Sequence, residues 1–214
     1  MIVQNIFSPK ASRIIRVLLI HPDYNWSVLG LSREAGVAYG YTYRVVKTLM
    51  KIGLCRKTEY NRIAVINPGE LLSRWASFFN FTLMNDVVAY YSPQRDLGEF
   101  IHNLTLLSEY KVNYALTLHS GAMLVAPYVR PVNVYIYVKK EEIENVERIL
   151  KLQPIELGGN VFLVKPYDEG VFYGVQSIEG IYVVSNIQLY VDLYNYPARG
   201  REAAEYLRKK VIGF

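Results

Sequence analysis

Tyr39, Tyr41, Tyr43, Arg44, Lys47 and Lys51 fall within thirteen residues of the chain, and Arg56, Lys57 and Arg62 follow within eleven more. These side chains share one chemistry. A guanidinium donates two parallel hydrogen bonds to a guanine edge, a phenol bonds or stacks on bases, and ammonium groups neutralise phosphates. Tyr41 and Arg44 are the candidates for base-edge contact, with Tyr39 and Tyr43 flanking them. Lys47, Lys51, Arg56, Lys57 and Arg62 are the candidates for phosphate contact. RNA bases are a further target for the tyrosines, but alternate helical residues point about 200° apart, so the three rings cannot form one stacking platform.

The elements that must position this set are legible around it. Ser8-Pro9 predicts a helix start, and Ile14, Ile15, Val17, Leu18 and Leu19 form the face it buries before His21-Pro22. Ser27 is placed to cap a short helix from Val28 to Ala35, which Gly36 ends in a left-handed conformation. A second helix is expected from Tyr39 to Ile52, with Thr42, Val46 and Leu49 turned inward. Gly53 closes it, and a strand from Leu54 returns through Asn61 to Ala64, Val65 and Ile66. This order predicts a winged helix–turn–helix over residues 1–68, with the basic helix as its reading element.

Charge is divided in the same way. The whole chain carries a net +5, but Met1 to Pro68 holds ten Lys/Arg against three Asp/Glu, while the remainder holds fourteen against sixteen. A basic module joined to a nearly neutral one is the electrostatic footprint of nucleic-acid binding. An apolar content of 51% argues against general disorder. No apolar run approaches the ~20 residues that span a bilayer, so no membrane partner is expected. The N-terminus lacks the order of a signal peptide, and the expected location is cytoplasmic. Cys55, the single cysteine, has no partner for an intramolecular disulfide. Arg56 and Lys57 beside it would lower its pKa if it were reactive, but a small structural residue at the strand's start is the favoured reading.

Residues 69–110 read as linking helices. Glu70 to Phe79 carries Leu71, Leu72, Trp75 and Phe79 on one side, a stripe whose expected partner is the second domain or another subunit. Val87 to Tyr91 is strand-like and Asp96 to Glu109 helical. Residues 111–214 alternate element types: strands at 113–118, 132–138, 161–164 and 182–184, and helices at 141–152, 187–194 and 201–211. Gly158-Gly159-Asn160 is read as a hairpin turn. The acidic run Glu141, Glu142, Glu144 and Glu147 is read as a solvated helix face. The fold class expected is α+β, in two domains.

Leu116 to Val138 resembles the opening of the nucleotidyltransferase fold: a strand, a small-residue turn at Ser120-Gly121, a helix and a second strand. In that fold the second strand carries two alternating carboxylates that hold the metal ions. Here it reads Asn133-Val134-Tyr135-Ile136-Tyr137, with no Asp or Glu between Lys111 and Lys140. The resemblance therefore implies a degenerate, non-catalytic domain, with Ser120 and Gly121 left as a candidate ligand turn. Asp192-Leu193, Arg199-Gly200 and Glu202-Ala203-Ala204 add a second resemblance. With the winged helix they look like the AbiEi-type antitoxins of type IV toxin–antitoxin systems and related archaeal transcriptional regulators. An ion pair between Asp192 and Arg199 is the favoured role for those two.

Other chemistry is poorly supported. His21, His102 and His119 are far apart, without partners at metal-ligand spacing. No phosphate-binding or dinucleotide fingerprint occurs, and no G-x-S-x-G elbow surrounds Ser120. No catalytic residue, metal site or cofactor is expected. The reading is a non-enzymatic regulator that binds double-stranded DNA as a homodimer, with a cognate toxin or a small effector as a further partner. Its alternatives are an antitoxin that autoregulates its operon and an active nucleotidyltransferase.

Overall fold

The computed structural model describes residues 5–214, which divide into two compact units, residues 5–79 with Phe214, and Asn80–Gly213. In the first unit, helix α1 (Pro9–Ile20) opens with proline at its start and buries Ile14, Ile15, Val17, Leu18 and Leu19. Ser8 does not cap it through its side chain; its hydroxyl bonds Tyr41 instead. Helices α2 (Val28–Glu34) and α3 (Tyr39–Lys51) follow. Strands β1 (Cys55–Lys57) and β2 (Ile63–Val65) then pair antiparallel, Arg56 opposite Ala64. Helix α4 (Pro68–Phe78) starts on Asn67, whose side chain accepts from the Glu70 N–H at 2.9 Å. Its stripe Leu71, Leu72, Trp75 and Phe79 is buried, and α4 packs on α1, with the Arg16 guanidinium 5.1 Å from the Trp75 ring centre. That stripe therefore finds a partner within its own unit, which neither expected alternative supplied.

The second unit is built on a mixed sheet. Its elements are α5 (Phe81–Met84), β3 (Asp86–Tyr91), α6 (Leu97–His102), α7 (Thr105–Glu109), β4 (Tyr114–Thr117), α8 (Leu118–Val125), β5 (Val134–Val138), α9 (Ile143–Leu150), β6 (Gln153–Pro154), β7 (Val161–Lys165), β8 (Gln176–Ile178), β9 (Ile181–Val183), α10 (Asn186–Tyr194) and α11 (Gly200–Leu207). The seven strands lie in the order β6-β3-β7-β5-β4-β9-β8. β5–β7 and β4–β9 are parallel, and the other neighbours are antiparallel. All four residues of β4 and all but Tyr135 of β5 are buried, as expected of strands covered on both faces. Helices α8, α10 and α11 pack on one another, α8 against β4 and β5.

Several expectations need correcting. The stretch 96–109 is two helices, because the chain turns at Asn103-Leu104 and Thr105 bonds the His102 carbonyl. Residues 158–160 are not a hairpin turn: β6 and β7 flank β3 on opposite sides, and the loop crosses the end of β3. A Cβ on Gly159 would stand 2.9 Å from the Tyr90 carbonyl oxygen, so this glycine answers to a close approach. The helix expected at 141–152 is α9, which ends at Leu150 because Lys151 is left-handed. Glu147 is not merely solvated, since the Tyr90 hydroxyl donates to it at 2.6 Å. The last helix gives way after Leu207 to a wider π-type turn, Arg208–Ile212. Among the described residues, no helix is long and apolar enough to cross a membrane.

Candidate nucleic-acid interface

Helix α2 begins where Ser27 accepts the Gly30 N–H at 2.9 Å. The chain then turns at Gly36 (φ 61°), where the Val37 N–H donates to the Ser32 carbonyl at 2.9 Å. Helix α3 is held from inside by Thr42, Val45, Val46, Thr48 and Leu49. The two threonines satisfy their hydroxyls on α3's side of the interface, Thr42 on the Ala38 carbonyl and Thr48 on the Arg44 carbonyl. This burial turns the other face outward. Tyr39 (53% exposed), Tyr43 (46%), Arg44, Lys47 and Lys51 stand in solvent.

Tyr41 differs from its neighbours. It is half-buried, its hydroxyl lies 3.0 Å from Ser8 Oγ, and the Arg44 guanidinium sits 5.6 Å from its ring centre. Its phenol ties α3 to the start of α1, and its ring supports Arg44 from below. Of the two residues expected at base edges, Arg44 has its guanidinium in solvent and Tyr41 has its hydroxyl engaged.

The hairpin is anchored at its base. Trp26 and Ile63 exchange backbone hydrogen bonds of 2.9 and 2.7 Å, which dock β2 on the segment before α2. Arg56, Lys57 and Arg62 are exposed on it. Cys55 is buried at the start of β1, and burial raises its thiol to about 12. The lowering that Arg56 and Lys57 would cause is thus overruled by desolvation.

The turn in the second unit is closed. Ser120 is fully buried, donates to the Thr117 carbonyl at 2.7 Å and accepts the Tyr135 N–H at 3.1 Å, so it rivets α8 to β5. Gly121 is buried, and a Cβ there would come 3.1 Å from the Leu116 carbonyl oxygen and from Val183. Both residues are buried. Tyr135 and Tyr137 stand on β5 where the resemblance would require metal-binding carboxylates. Among the described residues, no group of three or more His, Cys, Asp and Glu is placed to hold a metal ion.

A carboxylate does reach this region from elsewhere. Asp192 on α10, 1% exposed, accepts from Thr117 Oγ1 (2.6 Å), Gln188 Nε2 (2.6 Å) and the Tyr137 hydroxyl (3.2 Å). Asn85 Nδ2 in turn donates to the Tyr137 oxygen at 3.3 Å. The expected Asp192–Arg199 pair is not formed. Arg199 is exposed, pairs with Glu202 at 2.8 Å and lies 5.1 Å from the Tyr128 ring centre. Sequence reasoning missed the buried network because its members come from β4, β5, α10 and the junction before β3, far apart in the chain. The His119 ring lies edge-on to Tyr196 at 5.9 Å, and burial lowers its pKa.

The family model described as transcriptional regulator, AbiEi antitoxin, type IV TA system matches residues 64–213. Searches of curated proteins and of solved structures found no match.

Proposed function

Because the chain belongs to the AbiEi antitoxin family of type IV toxin–antitoxin systems, whose members are described as transcriptional regulators, we propose that it acts by binding duplex DNA through residues 1–68. In this reading the first unit is a winged helix with α3 as its recognition helix and β1–β2 as its wing. The second unit is a nucleotidyltransferase-like body without catalysis, and the working assembly is a homodimer that reads a two-fold operator. A cognate toxin is the further partner, and operator binding serves autoregulation.

The observation that carries the reading is the outward face of α3 and the hairpin. It presents Arg44, Lys47, Lys51, Arg56, Lys57 and Arg62 with two exposed tyrosines, while the apolar residues of the same elements are buried. The family match begins at residue 64, so this surface argues from its own chemistry rather than from the match. Arg44 is assigned to base edges and the other five cations to phosphates.

Fluorescence anisotropy with the operon's own promoter fragment tests it. With five phosphate contacts, log K should fall against log salt with a slope of about −4 to −5. Arg44→Ala should flatten the preference among sites by roughly 1–3 kcal/mol, while Lys57→Ala weakens all sites alike. Absent or salt-insensitive binding would refute the proposal.

A further inference from the structure

At the tip of the β1–β2 hairpin Tyr60 is 85% exposed, and no hydrogen bond, ion pair or ring contact among the described residues engages it. The tip beneath it is fixed. The Thr58 N–H donates to the Arg62 carbonyl at 2.8 Å, the Asn61 N–H to the Thr58 carbonyl at 3.0 Å, and the Arg62 N–H to Thr58 Oγ1 at 3.2 Å. Asn61 takes the left-handed conformation (φ 58°) that asparagine tolerates better than most residues. An aromatic ring thus stands in water on a hydrogen-bonded turn, with Arg56 and Lys57 on the strand before it and Arg62 two residues after it.

We propose that Tyr60 is an apolar contact on the duplex, its ring buried against the sugar and base edges of a groove while the three flanking cations hold the phosphates on either side. The inference rests on the DNA-binding reading above and adds a contact of a different physical kind. Cation–phosphate contacts release counterions and so appear in the salt slope. Burying a ring releases water instead and leaves the slope unchanged. The ordered turn leaves the backbone little conformational freedom to lose when the ring docks, so the ordering cost is that of fixing the ring's own rotamer.

The test uses the full chain and the promoter duplex. Tyr60→Ala should weaken binding about tenfold at every salt concentration, with the slope of the parent protein, whereas Lys57→Ala should make the slope shallower by about one. Tyr60→Phe should bind within about threefold of the parent, since the ring carries the contact. In Tyr60→Trp, the emission in excess of that from Trp26 and Trp75 should be quenched by duplex. If the parent binds with a steep salt slope but Tyr60→Ala binds within twofold of it, or the added tryptophan keeps its emission, the tip contact is wrong and the DNA reading stands. If the parent does not bind duplex, both fail together.

Discussion

Cys55 stands beside two cations and yet behaves as a core residue, because two neighbouring charges in water cannot offset removal of a thiolate from it. Its pKa is raised from 9.0 to about 12 by burial, so the folded chain keeps a proton that the unfolded chain gives up. The stability from this group is complete below about pH 9 and is lost as pH rises toward 12, at about 1.4 kcal/mol per unit. Buried tyrosines such as Tyr137 and Tyr190 act in the same direction, so the contribution is read by difference. Urea midpoints measured from pH 8 to 11 should fall less steeply in Cys55→Ala than in the parent. An equal slope would show that the thiol is accessible. Tyr41 teaches a related lesson: its type and spacing suit base recognition, but its hydroxyl reaches Ser8. Residue type announces a capability, and the neighbours decide whether it is used.

Among the elements, those governed by local signals were readable. The Ser27 cap, the left-handed Gly36 and the buried 3–4 spacing of α3 are all as the sequence predicts. Elements governed by distant contacts were not. Strand β8 was missed because the β8–β9 hairpin turns on Glu179-Gly180, both with positive φ (52° and 81°), and glutamate gives no turn signal at that position. Gly159 was misread as a turn residue because its reason, the passing Tyr90 carbonyl, lies far away in sequence. Gly200 has a similar reason. A Cβ there would stand 2.3 Å from the Leu193 carbonyl oxygen, a clash between α10 and α11 that only backbone movement relieves. Gly200→Ala should therefore destabilise by about 1–3 kcal/mol, and possession of a good helix former at that point should not rescue it. Gly53→Ala is the control: no atom lies within 4 Å of its Cβ, and the left-handed φ of 75° alone should cost about 1 kcal/mol. Denaturant midpoints of the two variants separate close packing from backbone strain; a Gly200→Ala loss no larger than that of Gly53→Ala would mean that the helices simply part.

Across the molecule, charge and chemistry are divided between the units. The excess of cations lies in residues 1–68, and the remainder carries slightly more acids than bases. In the second unit the strand that would carry metal-binding carboxylates in the nucleotidyltransferase fold carries phenols, and Asp192, a carboxylate that reaches the region from α10, accepts from Thr117, Gln188 and Tyr137. A pair of metal ions needs several oxygen donors at about 2.0–2.6 Å, and this strand supplies no carboxylate for one. The full chain incubated with Mg²⁺, labelled nucleoside triphosphates and tRNA or protein acceptors should give no label above a blank. Reproducible transfer would overturn the reading of the second unit as non-catalytic while leaving the duplex interface untouched.

The sequence by itself determined the first unit's helices and hairpin, the segregation of charge, the outward cations of α3 and the missing acids between Lys111 and Lys140. Each of these depends on composition or on residues a few positions apart, where caps, glycines and periodicity act directly on the backbone. Only the tertiary structure decided the strand order, the closure of the Ser120-Gly121 turn, the partner of α4 and the separation of Asp192 from Arg199. Thr117 and Asp192 are 75 residues apart, and their hydrogen bond exists because β4 and α10 are brought together by the sheet and its helices. No local preference encodes such a meeting, since the free energy that selects it is shared over the whole core.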